Sequence, residues 1–141
     1  MDWVIISYTR RHFPWTKSGQ NSTPLPKRYS RNGKFPTTCL PAVLSKSGKI
    51  YTGVCIDTCS TLGICAERNA IFNMITNGEQ EIDKVLCILP DGSGGAPCGA
   101  CRELMVQLMP NGKYKDIEIM LDYAAGRTAK LGDITPEWWI D

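Results

Sequence analysis

At 141 residues, with 43% hydrophobic and 21% charged content, the chain fits one ordinary globular domain with a modest core. No apolar stretch reaches membrane-spanning length, and the start, Met1-Asp2-Trp3-Val4-Ile5-Ile6, lacks the basic leader of a signal peptide, so a cytoplasmic protein is expected. The net charge of +2 is unevenly placed: residues 1–36 carry seven Lys or Arg against Asp2, whereas residues 37–141 carry nine basic and thirteen acidic residues. A mildly acidic main part argues against a groove for a long polyanion, and nucleic acid is not expected as a partner.

Residues 1–39 read as an irregular basic arm, and 40–141 as the working domain. The stretch to residue 41 holds five of the nine prolines (14, 24, 26, 36 and 41) and shows no sustained period. His12, the only histidine, lies in this arm and gives no basis for a Ser-His-Asp or Cys-His scheme.

From Leu40 onward the pattern sharpens. Ala42-Val43-Leu44 reads as a strand, Ser45–Gly48 as a turn, and Lys49–Ile56 as a second strand, together a hairpin. A loop over 57–63 leads to an amphipathic helix at about 65–76, stopped by Asn77-Gly78. Lys84–Leu89 is an apolar run suited to a strand covered on both faces. Pro90–Gly95 reads as a flexible loop. A second helix is expected at about 98–109, then a strand over Ile117–Asp122, a turn at 123–127 and a short strand over 128–131. Strands alternating with helices imply an α/β fold built on a mixed sheet.

The chemistry is concentrated in two segments, Cys65-Ala66-Glu67-Arg68 and, 33 residues after Cys65, Pro97-Cys98-Gly99-Ala100-Cys101. Seven cysteines is an odd number, and in a reducing compartment metal or catalysis is the first reading. Cys65, Cys98 and Cys101 suit a catalytic zinc, which takes three protein ligands and keeps a fourth position for water. Each cysteine segment opens a helix, where orphan N–H groups and the macrodipole favour anionic sulfur. Glu67, two residues past a ligand, is placed to carry protons without binding metal. Pro97 suits a helix entry, and Gly99 would let the backbone approach an ion closely. Cys39, Cys55, Cys59 and Cys87 read as small buried residues.

This pattern resembles the zinc-dependent cytidine deaminase superfamily, whose motif is His or Cys, any residue, Glu, then Pro-Cys-x-x-Cys. The all-cysteine form with Arg after Glu resembles small homotetrameric cytidine deaminases and blasticidin S deaminase. The resemblance implies a three-layer α/β/α fold with a mixed central sheet, a bound Zn2+, and hydrolytic conversion of cytidine or deoxycytidine to the uracil nucleoside with release of ammonia, as in pyrimidine salvage. It implies Glu67 as proton carrier and Arg68 as a donor to the ligand sulfurs. The backbone around Ala66 and Pro97 would hold the cytosine ring. Trp139 matches an aromatic that covers a neighbouring subunit's site, within a homotetramer or homodimer.

The chain departs from the family in two places. The family begins with a helix and a strand carrying a Phe-x-Val-Gly-Ala-Ala-like motif, of which Phe35-Pro36-Thr37-Thr38 keeps at most a remnant. Either the substrate is held differently or the N-terminal sequence is aberrant, for example through a reading-frame error. Where nucleoside deaminases use Asn-x-Glu to grip sugar hydroxyls, this chain has Cys55-Ile56-Asp57, leaving Asp57 as the candidate sugar contact. Another aminopyrimidine such as blasticidin S therefore stands as an alternative substrate. Two other classes compete. A structural zinc site would be closed by Cys59 or Cys87, leaving Glu67 without a task. A thiol oxidoreductase would use Cys98 and Cys101 and leave Cys65 unexplained.

Overall fold

The computed structural model describes residues 40–56, 63–89 and 93–138. Five strands form one sheet in the order β2-β1-β3-β4-β5: β1 is Leu40–Ser45, β2 Ile50–Thr52, β3 Ile82–Ile88, β4 Glu118–Asp122 and β5 Arg127–Lys130. The β1–β2, β1–β3 and β4–β5 pairs are antiparallel and β3–β4 is parallel, so the expected mixed sheet is present. Helix α1, Ala66–Thr76, lies between β2 and β3, and α2, Gly99–Leu108, connects β3 to β4. That helical crossover is what parallel neighbours require. Two short 3-10 turns, Lys113–Asp116 and Leu131–Ile134, were not foreseen from the sequence.

Register divides the sheet into two faces. Val43 pairs with Val85 and Val85 with Ile119. That row joins Ala70, Ile71 and Met74 of α1 and Cys101, Met105 and Val106 of α2 in the main core. Each large apolar side chain buried there contributes about 1.5–3 kcal/mol. One residue on, Leu86 pairs with Met120, and these form a separate cluster with Ile88 and Tyr123. Buried rows on both sides explain the unbroken apolar run Val85–Ile88 within β3. Among the described residues both α-helices lie on the first face, and the second helical layer of the expected three-layer arrangement is not among them.

The second strand is shorter than its sequence suggests. Lys49–Ile56 has a continuous β pattern, yet pairing stops at Thr52. The cause is Gly53. A Cβ built there would sit 2.4 Å from the backbone nitrogen of Ala70 and 2.6 Å from the carbonyl oxygen of Ala66. The chain is drawn onto the helix backbone at a distance that only glycine permits. Two helix asparagines hold it there: Asn73 Nδ2 donates to the Thr52 carbonyl at 3.1 Å, and Asn69 Nδ2 to the Val54 carbonyl at 3.1 Å. Further on, Ile56 forms an isolated bridge with Ile64.

The hairpin tip is fixed from the other side. Glu79 accepts hydrogen bonds from Ser47 Oγ at 2.8 Å and forms an ion pair with Lys49 at 2.7 Å. The Lys49 contact and then the Ser45 hydroxyl hold the Glu79 carboxyl down at about 2.

Two measurements follow from these contacts. Gly53→Ala is expected to destabilise the protein by about 1–3 kcal/mol in urea unfolding, because backbone rather than a mobile side chain must yield. Gly99→Ala, where an added Cβ meets nothing within 4 Å, is expected to be near neutral. Glu79 sets a pH signature. Its folded pKa lies below its ordinary value of 4.5, so its stabilisation is full above pH 4.5 and fades as pH falls toward about 2. The stability difference between wild type and Glu79→Gln is therefore expected to shrink across that window. Comparing the two proteins cancels the acid sensitivity that they share.

Candidate metal centre

Each α-helix begins at a cysteine. Cys65 is the N-cap of α1 and Cys98 the N-cap of α2, both with extended backbone. The Cys65 carbonyl accepts from Asn69 N–H at 3.1 Å. The Cys98 carbonyl accepts from Cys101 N–H at 3.1 Å and from Arg102 N–H at 3.0 Å. The sulfurs of these two N-caps and of Cys101 turn toward a common point. Cys98 Sγ lies 3.4 Å from both Cys65 Sγ and Cys101 Sγ, and all three sulfurs lie within 4.8 Å of one another.

The approach to α2 is more ordered than the flexible loop expected from its glycines. Leu89 N–H donates to the Ser93 carbonyl at 2.8 Å and Gly95 N–H to the Cys87 carbonyl at 3.1 Å, with an antiparallel bridge between Ile88 and Gly94. A Cβ at Gly94 would meet the Leu121 carbonyl oxygen at 2.8 Å. This glycine lets residues 93–95 lie against β4; residues 90–92 are outside the described residues.

The thiols have different surroundings. Burial raises the Cys65 pKa first, and the Cys98 side chain adds to the rise, while hydrogen bonding from Arg68 opposes it. Burial acts against the Cys98 thiolate too, but the Cys101 and Ala100 N–H groups and the neighbouring thiols together bring its pKa below the ordinary value. This is the anion-binding character of a helix start. Cys101 is fully buried, and burial followed by the negative charge of Glu67 pushes its pKa strongly upward. Glu67 itself is 6% exposed, so its carboxylate is enclosed beside the sulfurs.

The donor set fits a zinc ion. Zn–S bonds of about 2.3 Å imply sulfur–sulfur edges of about 3.8 Å, a few tenths longer than the two short separations here. Three thiolates also need positive surroundings. Arg68 Nη2 lies 4.0 Å from Cys65 Sγ, and its Nε is buried with no hydrogen-bond partner among the described residues. A desolvated guanidinium beside three sulfurs suits an anionic metal–thiolate cluster.

The remaining expected site residues fall as follows. Ala66 is fully buried at the first position of α1. Pro97 is fully buried, and its carbonyl accepts from Arg102 Nε at 2.8 Å. Gly99 is open to solvent, so no close approach by a described part of the chain requires it. Asp57, Trp139 and Cys59 lie outside the described residues. Cys87 is buried in β3 and is not a member of the sulfur cluster, so it does not supply the fourth thiolate that a closed structural site would need. Arg102, Asn69 and Asn73 were missed. The only trace of the asparagine pair in the sequence is its four-residue spacing on the predicted helix.

The profile of the cytidine and deoxycytidylate deaminase zinc-binding region matches residues 23–113. The chain belongs to this family. The match begins ahead of the boundary expected at residue 40. Among relatives, a cytidine deaminase of Halalkalibacterium halodurans is 34% identical over 70 residues, covering 49% of this chain and 53% of that protein. A blasticidin-S deaminase of Bacillus cereus is 29% identical over 79 residues, 50% of this chain and 56% of its own length. The chain thus spans little more than half the length of these curated relatives. The crystal structure of cytidine deaminase from Mycobacterium tuberculosis superposes with a TM-score of 0.62 at 26% identity, covering 82% of this chain and 88% of that one. The α/β fold is accordingly that of the cytidine deaminases, and the zinc-binding region is the part in which the three sulfurs meet.

Freshly purified, reduced protein is expected to hold one zinc per chain by elemental analysis. Single Cys→Ser changes at 65, 98 or 101 are expected to lower that content sharply, whereas Cys87→Ser leaves it unchanged.

Proposed function

We propose that this chain is a zinc-dependent deaminase that converts cytidine or deoxycytidine and water to the corresponding uracil nucleoside and ammonia. The observation that carries the reading is a buried carboxylate, Glu67, set against three converging cysteine sulfurs. In this reading Cys65, Cys98 and Cys101 hold the metal, and a zinc ion bound there supplies Lewis acidity toward a water molecule. Glu67 receives a proton from that water as its oxygen bonds to C4 of the cytosine ring. It returns a proton to the ring nitrogen and then serves the departing amino group, which leaves as ammonia. A carboxylate that moves protons in both directions must stand near the reacting atoms without being tied up as a ligand. Its low exposure keeps bulk water from competing.

Arg68 offsets part of the thiolate charge, which would otherwise weaken the Lewis acidity of the metal. The N-terminal amides of α1, around Ala66, and the backbone near Pro97 face the ring. The Pro97 carbonyl already accepts from Arg102, so it offers a substrate at most its second lone pair. Asp57 and Trp139 remain candidates for the sugar and for covering the site from a neighbouring subunit. Residues 40–141 form the catalytic domain, preceded by the basic arm. The assembly is a homotetramer or homodimer, acting in the cytoplasm in pyrimidine salvage. None of the described helices is long and apolar enough to cross a membrane.

A second reading keeps the chemistry and changes the substrate. Cys55 and Asp57 replace the Asn-x-Glu that grips a ribose, and the similarity to a blasticidin-S deaminase supports another aminopyrimidine. A thiol oxidoreductase is disfavoured because a third sulfur stands beside the Cys98–Cys101 pair.

The deciding experiment follows the absorbance change of cytosine becoming uracil with cytidine, deoxycytidine and blasticidin S, in wild type and Glu67→Gln. Turnover of a nucleoside, with a loss of about 10²–10⁴-fold or more in kcat for the variant and zinc content retained, is the expected result. Zinc-loaded wild type that turns over only blasticidin S would establish the second reading. Full activity in Glu67→Gln would refute both.

A further inference from the structure

Arg102 stands one helical turn after Cys98 and makes three contacts with the backbone. Its N–H donates to the Cys98 carbonyl at 3.0 Å and its Nε to the Pro97 carbonyl at 2.8 Å. Its Nη1 donates to the Ile134 carbonyl at 2.6 Å. One residue therefore holds two successive carbonyls at the metal corner and a third in the C-terminal turn. The planar guanidinium presents its donors in a fixed fork, so its position is set by both carbonyls at once.

The far end is firmly anchored. Leu131 is fully buried, and its N–H donates to the Ile117 carbonyl at 2.8 Å. The Thr135 hydroxyl is buried and donates to the Leu131 carbonyl, closing the 3-10 turn. Ile134 and Trp138 pack against the core that includes Met105 of α2. At the near end Cys98 is the exposed member of the three cysteines.

We propose that Arg102 is a positioning residue that braces the Pro97–Cys98 corner against the C-terminal turn and thereby sets how firmly Cys98 is held toward the metal. This rests on the zinc assignment above and adds to it a residue that does not touch the ion.

The test measures zinc release from the full-length holoprotein to a chromogenic chelator, for wild type, Arg102→Ala, Arg102→Lys, Thr135→Ala and the Arg102→Ala/Thr135→Ala double variant. Melting of each zinc-free protein and the ligand-field spectrum of each cobalt-substituted protein are recorded alongside. Arg102→Ala is expected to release zinc about 10–100-fold faster, the range for supports behind metal ligands. Arg102→Lys is expected to behave similarly, since an ammonium restores the charge but cannot span both carbonyls. Thr135→Ala is expected to give a smaller acceleration that does not multiply with that of Arg102→Ala. The cobalt spectrum should shift even where zinc-free melting does not.

Unchanged release in Arg102→Ala, wild-type release in Arg102→Lys, or independent multiplication in the double variant would each overturn the proposal. If Arg102→Ala does not fold, the Lys and Thr135 variants decide alone. Wild type that holds zinc but deaminates nothing would refute the function without affecting the release test. Active wild type with unchanged release in the Arg102 variants would refute this inference only.

Discussion

The site depends on two helix starts being brought to one point with their sulfurs facing inward. Neither helix has the Ser, Thr, Asp or Asn that ordinarily caps a first turn; a cysteine stands at each N-cap position. The orphan N–H groups there are instead arranged around a cluster that favours anions. Helix α1 is located by Gly53, which lies on its backbone, and by Asn69 and Asn73, which hold the adjoining carbonyls. Helix α2 is located by Gly94 lying against Leu121 and by the ladder between residues 87–89 and 93–95. Both placements bring backbone onto backbone, secured at α1 by two asparagine side chains. They leave less freedom than side-chain packing, which suits a site whose three ligands must meet within a few tenths of an ångström.

Much of this could be read from the sequence, because the signals are local. The 3.6-residue period marks both helices, Gly48 and Gly78 mark turns with positive φ, and the cysteine spacing marks the cluster. What could not be read was decided by contacts across the fold. Lys49–Ile56 has every local sign of one strand, and only the nearness of α1 ends it at Thr52. The glycines at 94 and 95 suggested looseness, but glycine also permits close packing, and at residue 94 the second property won. Arg102 gave no signal, because its partners are main-chain carbonyls, one of them 32 residues away. A carbonyl acceptor has no residue identity to recognise.

The electrostatics bind these parts together. Burial drives the Cys65 and Cys101 thiols toward their neutral forms, and the charge of Glu67 adds to this at Cys101; only Cys98, with N–H groups aimed at its sulfur, is drawn toward the thiolate. Three thiolates and a carboxylate cannot share this volume without cations. Arg68 supplies one positive charge, and the helix starts together contribute about one more. The balance needs a divalent ion, whose binding must release thiol protons and therefore depends on pH. The same balance accounts for Glu67. A fourth thiolate would deepen the negative charge and close the coordination sphere, whereas a carboxylate enclosed beside three sulfurs leaves a fourth position for water. An enclosed carboxylate has little value in a purely structural zinc site, and it is the feature on which the proposed hydrolytic reading rests.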